Sequence, residues 1–128
     1  MQMGGHEVRG LHLTGDLYHC TCDRRLLADM AELRAHCVAL CREAGFDVVG
    51  DAFHQFGDGG GGVTGTVLLA ESHFAIHTWP ETGSVTLDVY VCDYSQDNSD
   101  KAEALYATAL ALLAPAENFT NRLLRGKR

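Results

Sequence analysis

Residues 63–92 read VTGTVLLAESHFAIHTWPETGSVTLDVYVC, and the fold turns on how that run divides. GSVTLDVYVC (83–92) alternates strictly, with Thr86, Asp88, Tyr90 and Cys92 on one face and Val85, Leu87, Val89 and Val91 on the other. A two-residue period of this kind marks a half-buried strand. VTGTVLLAES (63–72) and HFAIHTW (73–79) read as two further strand segments, and Pro80, which has no N–H for a ladder, stops the second. Glu71, Ser72, His73 and His77 crowd into AESHFAIHTWPE (70–81) beside the only Trp of the chain.

Outward from this run the pattern changes period. LHLTGDLYHC (11–20) sets Leu11, Leu13, Gly15 and Leu17 against His12, Thr14, Asp16 and Tyr18, another half-buried strand. After Asp23, an N-cap residue by type, Leu26, Met30, Leu33, Cys37, Leu40 and Ala44 fall three or four apart. That spacing predicts one helix, ended by Gly45. DVVGDAFHQF (47–56) reads as a strand, and GDGGGG (57–62) as a loop that regular structure would not tolerate. Past the polar DYSQDNSD, Ser99 is the expected cap of a helix over 100–113, with a last short strand at 116–125. Helical stripes beside strands of alternating polarity predict the α/β (α+β) class. The expected architecture is a two-layer sandwich, an antiparallel sheet with helices packed on one face, in a single domain spanning 1–128.

Composition narrows the function classes. The chain has 128 residues, 46% hydrophobic and 21% charged, enough for one core. No segment approaches the roughly 20 apolar residues that span a bilayer, and MQMGGHEVRG lacks the basic lead and apolar run of a signal peptide. A cytoplasmic protein without a membrane partner is expected. Five cysteines, an odd count, point to reduced thiols rather than a disulfide framework. The net charge of −7 argues against nucleic acid, which requires a concentrated basic patch; only 122–128 is locally basic. An acidic body is compatible with a cationic substrate.

Each motif has a bland alternative. GDGGGG lacks the Lys-Ser/Thr and following helix of a phosphate loop, so it reads as a flexible connection or a substrate-facing lid. His73 and His77 would pair on a helix around a metal, but their surroundings are strand-like. Cys20, Cys22, Cys37 and Cys41 match no zinc knuckle, and the last two fit the helical stripe, so no metal is expected. Ser72, His77 and Cys92 together offer a nucleophile, a base and a thiol proton donor. Five positions apart on one regular strand, however, Ser72 and His77 point to opposite faces. A working pair requires a bend or a chain break.

The stretch ESHFAIHTWPE (71–81), followed by LDVYVC (87–92), closely resembles the bacterial S-adenosylmethionine decarboxylases. The resemblance extends to 10–23, to FHQF (53–56) and to VTG (63–65), covering roughly residues 10 to 95. It implies a proenzyme that cuts its own Glu71–Ser72 bond into a chain of residues 1–71 and one of 72–128. Ser72 would become a pyruvoyl group, which captures the substrate amine as a Schiff base and takes up electrons when CO2 departs. By the same resemblance His77 assists processing, Thr64 supports it, and Cys92 protonates the substrate α-carbon. Phe56 would stack on adenine and Glu81 would hold the ribose hydroxyls. A homodimer of cleaved protomers, with sites near the interface, is implied too, as is a product that donates aminopropyl groups for spermidine synthesis.

The chain departs from the family pattern after Phe56, where many relatives have a short turn with a proline and this one has GDGGGG. Some members of the fold family decarboxylate ornithine or arginine instead. Asp58 either pairs with such a substrate's amine or guanidinium, or is a solvated turn residue. A non-catalytic binding domain is a third reading, against which Ser72, His77 and Cys92 speak.

Overall fold

The computed structural model describes residues 8–57, 60–94 and 96–127; Asp58 lies outside them. In chain order the elements are β1 (Arg9–Cys20), α1 (Arg24–Ala28), α2 (Met30–Glu43), β2 (Val48–Gln55), β3 (Val63–Leu69), β4 (Ser72–Trp79), β5 (Ser84–Cys92), α3 (Ser99–Leu113) and β6 (Pro115–Gly126). The six strands form one antiparallel sheet in the order β2-β3-β4-β5-β1-β6. The helices cover one face, α2 over β2 and β3, α1 over β4, and α3 over β5 and β1.

Alternation decides which side chains enter the core. Leu11, Leu13 and Leu17 of β1, Val67 of β3, Phe74 and Ile76 of β4, and Leu87, Val89 and Val91 of β5 are buried against Leu33, Cys37, Cys41, Leu105 and Leu113 of the helices. Each fully buried aliphatic or aromatic side chain contributes about 1.5–3 kcal/mol of transfer free energy. Cys37 and Cys41 are packing residues. Burial pushes the Cys41 thiol up to about 12, and burial together with Cys41 pushes Cys37 higher still. Among the described residues, no helix covers the opposite face. It presents His12 bonded to Asp88 (2.9 Å), Arg125 over the Tyr90 ring (5.7 Å), and His73 tilted on Tyr90 (5.7 Å).

Four boundaries differ from the sequence reading. The single helix expected after Asp23 is two, broken at Asp29, whose extended backbone (φ −106, ψ 113) ends α1. The Asp29 side chain accepts from the Glu32 N–H, so a polar cap outcompetes the continuous apolar stripe. α3 starts one residue earlier than expected, with Asn98 rather than Ser99 at its cap. Asn98 makes no side-chain bond to the helix, because its Nδ2 donates to the Cys92 carbonyl at 2.9 Å instead. The segment expected to run through Ser72 ends at Leu69, and Ser72 opens the next strand. The last strand is long, Pro115–Gly126, because it pairs along the whole of β1.

Candidate active site

The hairpin between β3 and β4 turns on Ala70 and Glu71, since Leu69 pairs across to Ser72. Glu71 has φ +68, a left-handed conformation that costs a residue with a Cβ roughly 1–2 kcal/mol. Its carbonyl belongs to the bond that joins it to Ser72. Ser72 is 9% exposed on the helix-covered face, and its Oγ is buried with no hydrogen-bond partner. A buried hydroxyl left unpaired costs about 1–3 kcal/mol, yet it is also unrestrained and adjacent to a carbonyl carbon. Across β5 the partner of Ser72 is Val91, and Cys92, 5% exposed, is the next residue. Glu71, Ser72 and Cys92 therefore gather at one end of the sheet.

The opposite end holds a cleft of about 430 Å³ lined by Phe56, Gly57, Gly61, Gly62, Thr64, His77, Thr78, Trp79 and Glu81. This volume lies in the range of small-molecule sites. Thr64 and His77 are directly paired across β3 and β4, and Thr64 Oγ1 lies 3.0 Å from His77 Nδ1. A hydroxyl bonded to one ring nitrogen holds the imidazole in place and leaves the other nitrogen for proton transfer. Trp79 stands two residues on, on the same face, with its ring 6.4 Å from that of His77. Phe56 packs edge-on against His54 at 4.6 Å. Beneath the floor, Thr78 Oγ1 donates to the Leu27 carbonyl (2.6 Å) and accepts from the Val63 N–H (2.9 Å), tying α1 to β3. Arg24 Nη1 donates to the Pro80 carbonyl (3.1 Å) and holds the turn that presents Glu81.

The structure thus divides the residues singled out in the sequence into two groups. Thr64, His77, Phe56 and Glu81 share the cleft; Glu71, Ser72 and Cys92 do not reach it. Ser72 and His77 lie on one unbroken strand, facing opposite sides, and five residues at about 3.3 Å each put them about 16 Å apart. His73 is in neither group. Burial first, and then the neighbouring His12, hold its imidazole below the ordinary value, with Asp88 opposing. Gly57, Gly61 and Gly62 of the loop offered as a flexible connection or a substrate-facing lid line the cleft, while Thr78 and Trp79 were not singled out, although strand alternation from His77 points to Trp79. Among the described residues, no group of three or more His, Cys, Asp or Glu could hold a metal ion.

Known proteins resemble this chain in sequence and in fold. A sequence model described as S-adenosylmethionine decarboxylase matches residues 11–126. An S-adenosylmethionine decarboxylase proenzyme of Pyrobaculum aerophilum is 42% identical over 90 residues, 70% of this chain and 70% of its own length. One from Carboxydothermus hydrogenoformans is 38% identical over 96 residues, 75% of this chain and 72% of its own. The crystal structure of adenosylmethionine decarboxylase from Aquifex aeolicus superposes with a TM-score of 0.81 at 32% identity, covering 96% of this chain and 95% of that one. The chain belongs to the S-adenosylmethionine decarboxylase family.

Proposed function

We propose that this protein cuts itself at Glu71–Ser72 and uses the resulting pyruvoyl group to decarboxylate S-adenosylmethionine in the cytoplasm. The observation that carries the reading is the junction itself: a left-handed Glu71 followed by a buried Ser72 hydroxyl with no competing partner. Ser72 Oγ adds to the Glu71 carbonyl carbon, the C–N bond breaks as the ester forms, and the proton passes to the freed amine of residue 72. Loss of the Ser72 Cα proton expels the Glu71 carboxylate from Cβ. The dehydroalanine left behind tautomerises to an imine, and water releases ammonia from it, leaving the pyruvoyl group at position 72. The residues present fit that group, since Ser72 is buried between its strand partners Leu69 and Val91, at the end of the sheet that also carries Cys92.

The group supplies a carbonyl that binds an amine and an electron sink for the pair left by departing CO2. The chain supplies the rest. Cys92 donates the proton to the substrate α-carbon, a task suited to a thiol that is protonated at neutral pH and can still give the proton up. Phe56 stacks on adenine and Glu81 accepts from the ribose hydroxyls. His77, oriented by Thr64, moves protons during processing.

The separation of about 16 Å between Ser72 and His77 supports a homodimer in which one protomer's cleft serves the other's Ser72. Exposed Tyr18, Leu68, Phe119 and Leu123 on the helix-free side add apolar surface that a second copy would cover. Two such faces packed about a two-fold axis perpendicular to the strands would set the sheet end that carries the Glu71–Ser72 turn and Cys92 over the His77 end of the partner.

Denaturing electrophoresis with intact mass tests the cut. Wild type yields chains of residues 1–71 and 72–128, and Ser72→Ala yields one uncut chain of 13.9 kDa. An uncut yet fully active wild type would refute the mechanism. Labelled CO2 release is expected from S-adenosylmethionine, and not from ornithine or arginine. Co-expression tests the shared site: His77→Ala alone stays uncut, whereas paired with Ser72→Ala the His77→Ala chain is cleaved. No cleavage in the mixed dimer would show that each chain processes itself.

A further inference from the structure

The chemistry above makes no use of Gln55, the last residue of β2. Its side-chain amide is fully engaged. Oε1 accepts from the Met30 N–H at 2.9 Å, at the first residue of α2. Nε2 donates to the carbonyls of Gly61 (3.1 Å), Gly62 (3.3 Å) and Phe56 (3.3 Å). One amide thereby joins a helix start to both ends of the glycine loop, which a backbone bond from the Phe56 N–H to the Gly62 carbonyl (2.8 Å) also closes.

The glycines make this possible by close approach. A Cβ on Gly61 would lie 2.2 Å from the Phe56 carbonyl oxygen, and one on Gly62 would lie 2.2 Å from that of Thr78. Neither position admits a side chain without moving backbone. The loop ends are therefore pressed against the strand ends, and Phe56, Gly61 and Gly62 form one wall of the cleft facing His77 and Trp79.

We infer that Gln55 is a positioning residue for the substrate: by tying Phe56, Gly61 and Gly62 to the start of α2 it sets the width of the cleft. It touches no reacting atom. The inference rests on the reading of this cleft as the S-adenosylmethionine site. Two substitutions separate its duties. Gln55→Glu keeps an acceptor for the Met30 N–H, where a negative charge is also favoured by the helix start, but replaces the donating NH2 by one carboxylate oxygen that repels three carbonyls. Gln55→Leu removes the acceptor as well.

The cleft holds the only Trp of the chain, so its fluorescence reads binding directly. We would titrate S-adenosylmethionine into Ser72→Ala protein, which can neither cut nor turn over, with and without Gln55→Glu. Losing about two neutral hydrogen bonds to the loop predicts a Kd raised about 10-fold, with the thermal midpoint within a few degrees of the parent. In processed enzyme the same substitution should raise KM about 10-fold and change kcat less than 3-fold. Gln55→Leu should weaken binding similarly and also lower the midpoint. An unchanged Kd for Gln55→Glu overturns the inference, and so does a loss of kcat equal to the rise in KM. Absence of any fluorescence or calorimetric response in the parent overturns instead the cleft assignment on which the inference stands.

Discussion

Replacing Glu71 by glycine tests whether backbone strain at the scissile junction drives the cut. Glu71 sits at φ +68 as the second of two turn residues, a place where turns favour Gly or Asn. A side chain there costs roughly 1–2 kcal/mol. The acyl shift replaces the Glu71–Ser72 amide by an ester on Oγ and adds rotatable bonds, so the strain is released as the reaction proceeds. Glycine carries no such strain in the precursor. If all of it is released in the transition state, Glu71→Gly should cleave about 5- to 30-fold more slowly. Its stability should be equal or higher, because the relieved strain offsets the roughly 0.5–1 kcal/mol of chain entropy that glycine adds. Slower cleavage of a protein that is no less stable cannot be ascribed to misfolding. The assay is a time course of intact mass on freshly refolded precursor, with urea midpoints measured in the Ser72→Ala background. Glu71→Ala is the control: it keeps the Cβ and the strain, loses the carboxylate, and should cleave at the wild-type rate. If Glu71→Ala slows as much as Glu71→Gly, the carboxylate matters and the strain argument is wrong. If neither slows, the conformation is incidental.

Three further outcomes follow from named contacts. Thr78→Val strips the Val63 N–H and the Leu27 carbonyl of a buried partner, so urea unfolding of uncut Ser72→Ala protein should show a loss of about 2–4 kcal/mol; a loss below about 1 kcal/mol would mean the site rehydrates. His73, packed on Tyr90 with His12 and Asp88 nearby, has its imidazole held below the ordinary 6.5. The unfolded chain therefore binds that proton first, and the stability His73 contributes is full above the ordinary value and lost as pH falls through the folded one. His73→Gln should flatten the fall in urea midpoint between about pH 7 and pH 5, and parallel profiles would remove His73 as a cause. Cys92→Ala should still cut but lose turnover about 10²-fold or more, as read by CO2 release per processed chain; unchanged turnover would take the proton-donor role away from Cys92.

Much of this molecule was legible from local pattern. Alternation in 11–20 and 83–92 assigned the core and helix-free faces residue by residue, because a strand's side-chain period is a property of its own backbone. The motif from Glu71 to Glu81, with Cys92 beyond it, carries the family resemblance in its residue types and spacing alone. Local competition was less legible. Asp29 broke a continuous helical stripe because a side-chain cap satisfied the backbone better than another turn of helix, and Asn98 gave up capping α3 to hold the Cys92 carbonyl. Glu71 reads as the end of a strand, because nothing in its identity announces a left-handed conformation.

The grouping of the site belonged to the tertiary structure. Sequence spacing could say that Ser72 and His77 point apart, but not that each would find different company. Pairing with β5 put Ser72 opposite Val91, at the sheet end that carries Cys92, and pairing with β3 put His77 on Thr64, at the other end. The same holds for Gln55, whose partners at Met30 and at Gly61–Gly62 come from two separate parts of the chain. The sequence by itself determined the period of each element and the residue types available for chemistry, since both are local properties. Which of those residues meet was decided by strand order and register, because antiparallel pairing brings together positions that the chain itself keeps far apart.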